Sequence, residues 1–132
     1  MASLHPEIIG KIVSAFFDVH WFARSHSTYS EENLREALIV ELTLSKVKVK
    51  KQVPVLRLYR DRTVGTDVID LVVENVVAVQ VVKAQELTTE HTDHMQSYLR
   101  DSGLVVGLVL RFGGSDHEFK YVFKDANLRR TR

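Results

Sequence analysis

The chain has 132 residues, 45% of them hydrophobic, with no cysteine and 18 basic residues against 17 acidic ones. That length suits one ordinary domain, residues 1–132, able to bury a core without covalent staples. The missing cysteines exclude disulfides and thiolate metal sites, and the near-cancelling charge gives no argument for a nucleic-acid or membrane partner. No apolar run approaches a membrane span, and MASLHPE at the N-terminus lacks a signal-peptide pattern, so a soluble cytoplasmic protein with no membrane partner is the expectation.

Ile9, Ile12, Val13, Phe16 and Phe17 recur at helical spacing behind Pro6 and predict an amphipathic helix over 6–23, whose apolar face Trp21 and Phe22 extend. After a polar break from Ser25 to Ser30, Leu34, Ala37, Leu38 and Leu42 mark a second helix over 30–44. From Lys46 to Tyr59 the chain alternates, with Val47, Val49, Val53 and Val55 on one face and Lys46, Lys48 and Lys50 on the other. It changes phase after Pro54, which predicts a bulge or a bent edge strand. Asp61 to Gly65 reads as a turn into two Val- and Ile-rich strands, 68–73 and 76–82, joined by Glu74 and Asn75 as a hairpin. Thr88 is placed to cap a third helix through Arg100, and Ser102-Gly103 ends it. Leu104 to Leu110 is almost continuously apolar, as in a strand covered on both faces, while Phe119, Tyr121 and Phe123 alternate beyond a Gly113-Gly114 turn. The tail from Leu128 to Arg132 is expected to fray. The order is therefore α-α-β-β-β-α-β-β, an α/β (α+β-like) layer with a mixed sheet.

Polar residues inside otherwise apolar strands single out the central hairpin. With a loop of Glu74, Asn75 and Val76, Val73 pairs with Val77 and Asp70 stands opposite Gln80 on the same face, which Val82 shares. Lys83 then points to the other face unless a bulge intervenes. Glu31 is either a functional acid or half of a capping box with Thr28. His91 and His94 sit at i, i+3 on the third helix, without a third ligand of clear spacing. Lys46, Lys48, Lys50 and Lys51, with Arg57 further on, are candidate phosphate contacts, although lysines on an edge strand also guard against edge-to-edge pairing.

Across most of its length the chain resembles the small GxxExxY family of the PD-(D/E)XK nuclease superfamily. The likeness rests on IIGKIVSAFFDVH, REALIVEL, KQVPV, DLVVEN and QELTTEH. The resemblance implies a nuclease-type mixed sheet flanked by helices, and an ancestral Mg²⁺- or Mn²⁺-dependent hydrolysis of phosphodiesters in DNA or RNA. In the family's named motif, Thr28 stands at the glycine, Glu31 at the glutamate and Leu34 at the tyrosine. Asp70 matches the superfamily's aspartate, but Gln80 stands at its glutamate and Val82 at its lysine, with Lys83 one residue late. On the third helix His94 stands where the family often has glutamine, and Tyr98 is kept; both are auxiliary site candidates.

By this resemblance the catalytic set would be Asp70, Gln80, Lys83 and Glu31, with Asp70 and Gln80 as metal ligands. A Glu-to-Gln change removes one charge from the metal shell, and a displaced lysine no longer meets the attacking water, so the site reads as degenerate. Two other readings stand beside hydrolysis: a catalytically silent scaffold that binds nucleic acid or protein, and a structural homo-oligomer, for instance a dimer paired through a strand edge.

Overall fold

The computed structural model describes residues 5–113, 116 and 118–124, so the expected fraying of the tail and the Gly114 half of the late turn lie outside the described residues. The order of elements is the expected one: α1 (Pro6–Ala23), α2 (Glu31–Leu44), β1 (Val49–Tyr59), β2 (Arg62–Val73), β3 (Val77–Lys83), α3 (Thr89–Ser102), β4 (Val106–Phe112) and β5 (Glu118–Phe123). Five strands form one mixed sheet in sequence order, antiparallel throughout except for the parallel pair β3–β4. The β3–β4 crossover is long enough to hold α3, as a parallel connection requires. No helix among the described residues is long and apolar enough to cross a membrane.

Helices cover both faces. Ile9, Ile12, Phe16, Leu34, Leu38 and Leu42 from α1 and α2 pack on Leu71, Val73, Val77, Val79 and Val81. On the other face Met95, Tyr98 and Leu99 of α3 pack on Val55, Ile69, Val72, Ala78, Val109 and Val122. Burying each such side chain contributes about 1.5–3 kcal/mol. β4 is buried along its whole length, and it carries glycine where α3 crosses it: a Cβ at Gly107 would lie 2.5 Å from the Met95 sulfur.

Two local departures from the sequence reading matter. The β1–β2 connection is the Arg60-Asp61 pair, with φ of 51° and 63°, a two-residue turn that lets β2 start at Arg62 instead of Val68. Gly65 does not turn the chain; it pairs with Arg57, and Val64 is the extra residue where the register shifts. The change of phase in β1 falls at Gln52, not after Pro54: Gln52 has φ 55°, and it separates Val47 and Val49, which contact the α1/α2 core, from Val53 and Val55, which contact the α3 core. β2 switches with it. Ile69 and Leu71, two residues apart, belong to opposite faces, and Asp70 occupies the switch.

Candidate functional site at the parting of two strands

β2 and β3 pair at Leu71↔Val79, Val72↔Ala78 and Val73↔Val77; beyond that, at Asp70 and Gln80, they part. β3 runs on to Lys83 against β4, so its main-chain groups facing β2 lose their strand partners. Side chains replace them. Asp70 Oδ2 accepts the Val81 N–H at 2.8 Å, Gln80 Oε1 accepts the Asp70 N–H at 3.3 Å, and Glu31 Oε2 accepts the Lys83 N–H at 2.8 Å. The bonds at Asp70 and Val81 are partly buried and the one at Lys83 is exposed; an N–H left unpaired away from water costs about 1–3 kcal/mol, so the first two hold the parted edge most firmly. The expected neighbourhood of Asp70 and Gln80 is present, but each oxygen that bonds is turned to main chain.

Glu31 reaches β3 because other residues cap α2. The capping box expected at Thr28 and Glu31 is made by Ser30 and Asn33: each donates its main-chain N–H to the other's side-chain oxygen at 3.0 Å. Lys83 lies on the helix-pair face with Val79 and Val81, opposite Gln80 and Val82. Its ammonium donates to the carbonyls of Ser27 at 3.1 Å and Tyr29 at 2.6 Å, bracing the α1–α2 connection.

The cation near Asp70 is Arg35, which sequence reasoning passed over. It stands one turn after Glu31 on α2, and i, i+4 spacing on a recognised helix was the available signal. Arg35 Nη1 is 3.8 Å from Asp70 Oδ1, Nη2 is 3.7 Å from Glu32 and Nε is 3.9 Å from Glu36. These contacts are too long for hydrogen bonds, and Nε is buried without a hydrogen-bond partner among the described residues. Burial accordingly pushes the Asp70 carboxyl above its ordinary 3.8; the Val81 N–H and Arg35 oppose the rise and Glu31 adds to it.

On the other face α3 brings His94 and Tyr98 together, ring centroids 4.6 Å apart. Burial and Asp67 push the Tyr98 hydroxyl up, Arg57 opposes them, and Asp70 adds to the rise, so Tyr98 feels the charge at the parting. His94 Nε2 is 3.9 Å from Asp67. His91 does not join it in a ligand pair: its Nδ1 accepts the Thr88 N–H at 3.0 Å and caps the helix.

The basic residues separate into two groups. Lys46 and Lys48 precede β1 and Lys50 lies on it; all three are exposed, and none is in an ion pair among the described residues, whereas Lys51 pairs with Glu36 at 3.2 Å. Arg57, seven positions beyond Lys50 or roughly 20 Å along an extended strand, donates to Asp101 at 3.1 Å and to Asp67 at 3.4 Å, with its guanidinium 4.8 Å from the Tyr98 ring centre.

A Mg²⁺-class ion takes clustered carboxylates and waters in near-octahedral geometry. Here Asp70, Gln80 and Glu31 turn oxygens to main-chain N–H groups, a guanidinium stands beside Asp70, and no three His, Asp or Glu residues converge among the described ones. The residues present do not fit a divalent metal.

One comparison with known proteins bears on ancestry and another on the fold alone. A family profile described as the PD-(D/E)XK nuclease superfamily, whose members typically use divalent metals, matches residues 6–122. No curated protein matches the sequence. Among solved structures, the crystal structure of SSO0001 has a similar fold, with a TM-score of 0.53 over 82% of this chain at 14% identity; the chain spans 64% of that one.

Proposed function

The chain belongs to the PD-(D/E)XK nuclease superfamily, and from that premise we propose that it is a divergent, GxxExxY-like member that binds a nucleic-acid backbone without cleaving it. One observation carries the reading: the two acids of the ancestral catalytic set, Asp70 and Glu31, cap the N–H groups of Val81 and Lys83 on the parted edge of β3. The lysine position holds Val82, half-buried against the α3 core, and Lys83 is tied to two carbonyls on the opposite face. Hydrolysis would require the carboxylates to leave the β3 edge and the ammonium to leave the α1–α2 connection together. The GxxExxY likeness is supported by the retained Glu31, Asp70 and Tyr98 and by DLVVEN at the hairpin. Phosphate contact falls to Lys46, Lys48 and Lys50, exposed and outside ion pairs among the described residues, while Arg57 holds Asp101 and Asp67. DNA and RNA share that backbone chemistry.

Calorimetry with Mg²⁺ and Mn²⁺, wild type beside Asp70→Asn, tests the silent site; no specific heat in either is expected. Metal binding that disappears in Asp70→Asn, with metal-dependent cleavage of single- or double-stranded DNA or RNA, would overturn the proposal in favour of a live nuclease. Binding of fluorescent oligonucleotides should weaken steeply with salt, and Lys48→Ala and Lys50→Ala should each lower the salt slope by about 1. Binding that ignores salt, or no binding at low salt, would sink the nucleic-acid reading.

A further inference from the structure

The two edges of the sheet are built differently. β1 carries devices that discourage further pairing: Lys50 and Lys51, Pro54, and Gln52 with φ 55°. β5 has no proline and keeps an unbroken register with β4 from Glu118 to Phe123. The Lys124 N–H donates to the Val105 carbonyl at 2.9 Å. In the antiparallel alternation Glu118, Lys120 and Val122 therefore turn their main-chain groups to β4, and Phe119, Tyr121 and Phe123 turn theirs outward. The same three residues set their rings on the α1 side. Phe119 packs on Phe16 and Phe17, while Tyr121 and Phe123 lie parallel, 6.2 Å apart and half exposed. With Ile9, Val13 and Phe17, Tyr121 and Phe123 line an apolar groove of about 570 Å³.

We propose that β5 pairs with β5 of a second copy about a two-fold axis through Tyr121, joining the two sheets into one. Charge selects this register. With Tyr121 opposite its symmetry mate, Phe119 faces Phe123 on either side of the axis, and Glu118 faces Lys124 at each end. A slip of two residues one way opposes Lys120 with Lys120, and the other way Lys120 with Lys124. Opposite charges across a pair stabilise it and like charges destabilise it. Slips of one residue turn the outward main-chain groups away from each other. The Phe123 carbonyl already accepts from Gln96 Nε2 at 2.6 Å, and its second lone pair remains for the partner's Phe119 N–H. The aromatic walls of the two grooves then run on into each other across the axis. This inference is independent of nucleic-acid binding, since it uses the edge opposite Lys46, Lys48 and Lys50.

The cysteine-free sequence makes the test clean. Sedimentation of the full wild-type chain should give twice the 15.1 kDa monomer mass. In the proposed register the two residues at the axis form a hydrogen-bonded pair with Cα atoms about 5.5 Å apart, inside disulfide range. Tyr121→Cys should thus form a covalent dimer on mild oxidation. Phe119→Cys and Phe123→Cys should not cross-link alone but should do so when mixed. Lys124→Glu, which sets Glu opposite Glu118, should raise the dimer dissociation constant about tenfold or more. A wild type still monomeric at about 100 µM, which means a binding free energy weaker than about −5.5 kcal/mol, would overturn the proposal and leave this edge to an extended segment of another protein. A dimer that fails to cross-link through Tyr121→Cys would overturn it too, by placing the contact on another surface.

Discussion

Asp70 and Asp101 both lie against arginines, and their surroundings hold them in opposite senses. Asp101, in the last turn of α3, is 4% exposed and accepts from Arg100 at 2.9 Å and from Arg57 at 3.1 Å. Burial alone would push its carboxyl up, but the bonds from Arg100 and Arg57 outweigh it and hold the group below its ordinary 3.8. Asp70 is 15% exposed, with a guanidinium no nearer than 3.8 Å, and there burial prevails. Both sites contain an acid and an arginine. Contact geometry separates them, because a guanidinium within hydrogen-bond distance stabilises the charged carboxylate far more than an offset one.

The largest expected effect tests that geometry. Arg57→Met should destabilise the fold by about 2–4 kcal/mol, because it strips a buried partner from Asp101 and the cation from the Tyr98 ring. Arg35→Met should cost less than about 1 kcal/mol, since its contacts are long and it removes a buried N–H that has no hydrogen-bond partner among the described residues. Urea unfolding of the two variants measures the difference; equal losses would erase the contrast between the sites.

Acid titration sharpens it further, because the two groups act with opposite signs. The folded value of Asp101 is lowered, so the folded chain binds fewer protons than the unfolded one, and the stability it gives above about pH 4 is lost as pH falls below that. The folded value of Asp70 is raised, so the folded chain binds the proton first, and its contribution becomes more favourable as pH falls from neutrality toward 3.8. Asp101→Asn should flatten the acid limb of a stability-against-pH curve. Asp70→Asn should remove the gain that precedes it. A single limb of one sign, unchanged by either variant, would contradict the assignment.

What the sequence disclosed followed periodicity. The spacing of Ile9, Ile12, Val13 and Phe16, the apolar run of β4 and the Glu74-Asn75 loop, whose residues both have positive φ, carry local patterns that specify their elements. The boundary of β2 did not, because Gly65 looks like a turn and serves beside a bulge, and a bulge has no composition of its own. The site was legible in its members and not in their duties. Asp70 and Gln80 stand out as polar residues inside apolar strands and Glu31 through the resemblance, and the fold does bring them to one place. That their oxygens meet the N–H groups of β3 depends on where β2 and β3 separate, a property of pairing between strands. Arg35 was invisible for the same reason: its partner lies 35 positions away on another element.

Mid-sized effects belong to the caps themselves. Glu31→Ala should cost about 1 kcal/mol by removing the acceptor of the Lys83 N–H, and Lys83→Met about as much by releasing the carbonyls of Ser27 and Tyr29. Native-state hydrogen exchange at the Lys83 amide should rise in the first variant and stay near wild type in the second. Matching exchange in both would mean that Glu31 and Lys83 act as one brace instead of two.

The smallest expected change is the most discriminating. Asp70→Asn keeps an acceptor for the Val81 N–H while removing a charge that burial disfavours, so at neutral pH its stability should stay within about 0.5 kcal/mol of wild type. Asp70→Ala removes the acceptor and should cost about 1–2 kcal/mol. A carboxylate kept for catalysis behaves differently: it stands in a site that function holds away from its stability optimum, so truncation leaves stability unchanged or raises it. The Asn and Ala pair therefore separates a cap from a catalyst without a nuclease assay. Loss in Ala with none in Asn supports the capping role. Equal loss in both would show that the charge itself holds the parted strands, and a gain in Ala would return Asp70 to a catalytic reading.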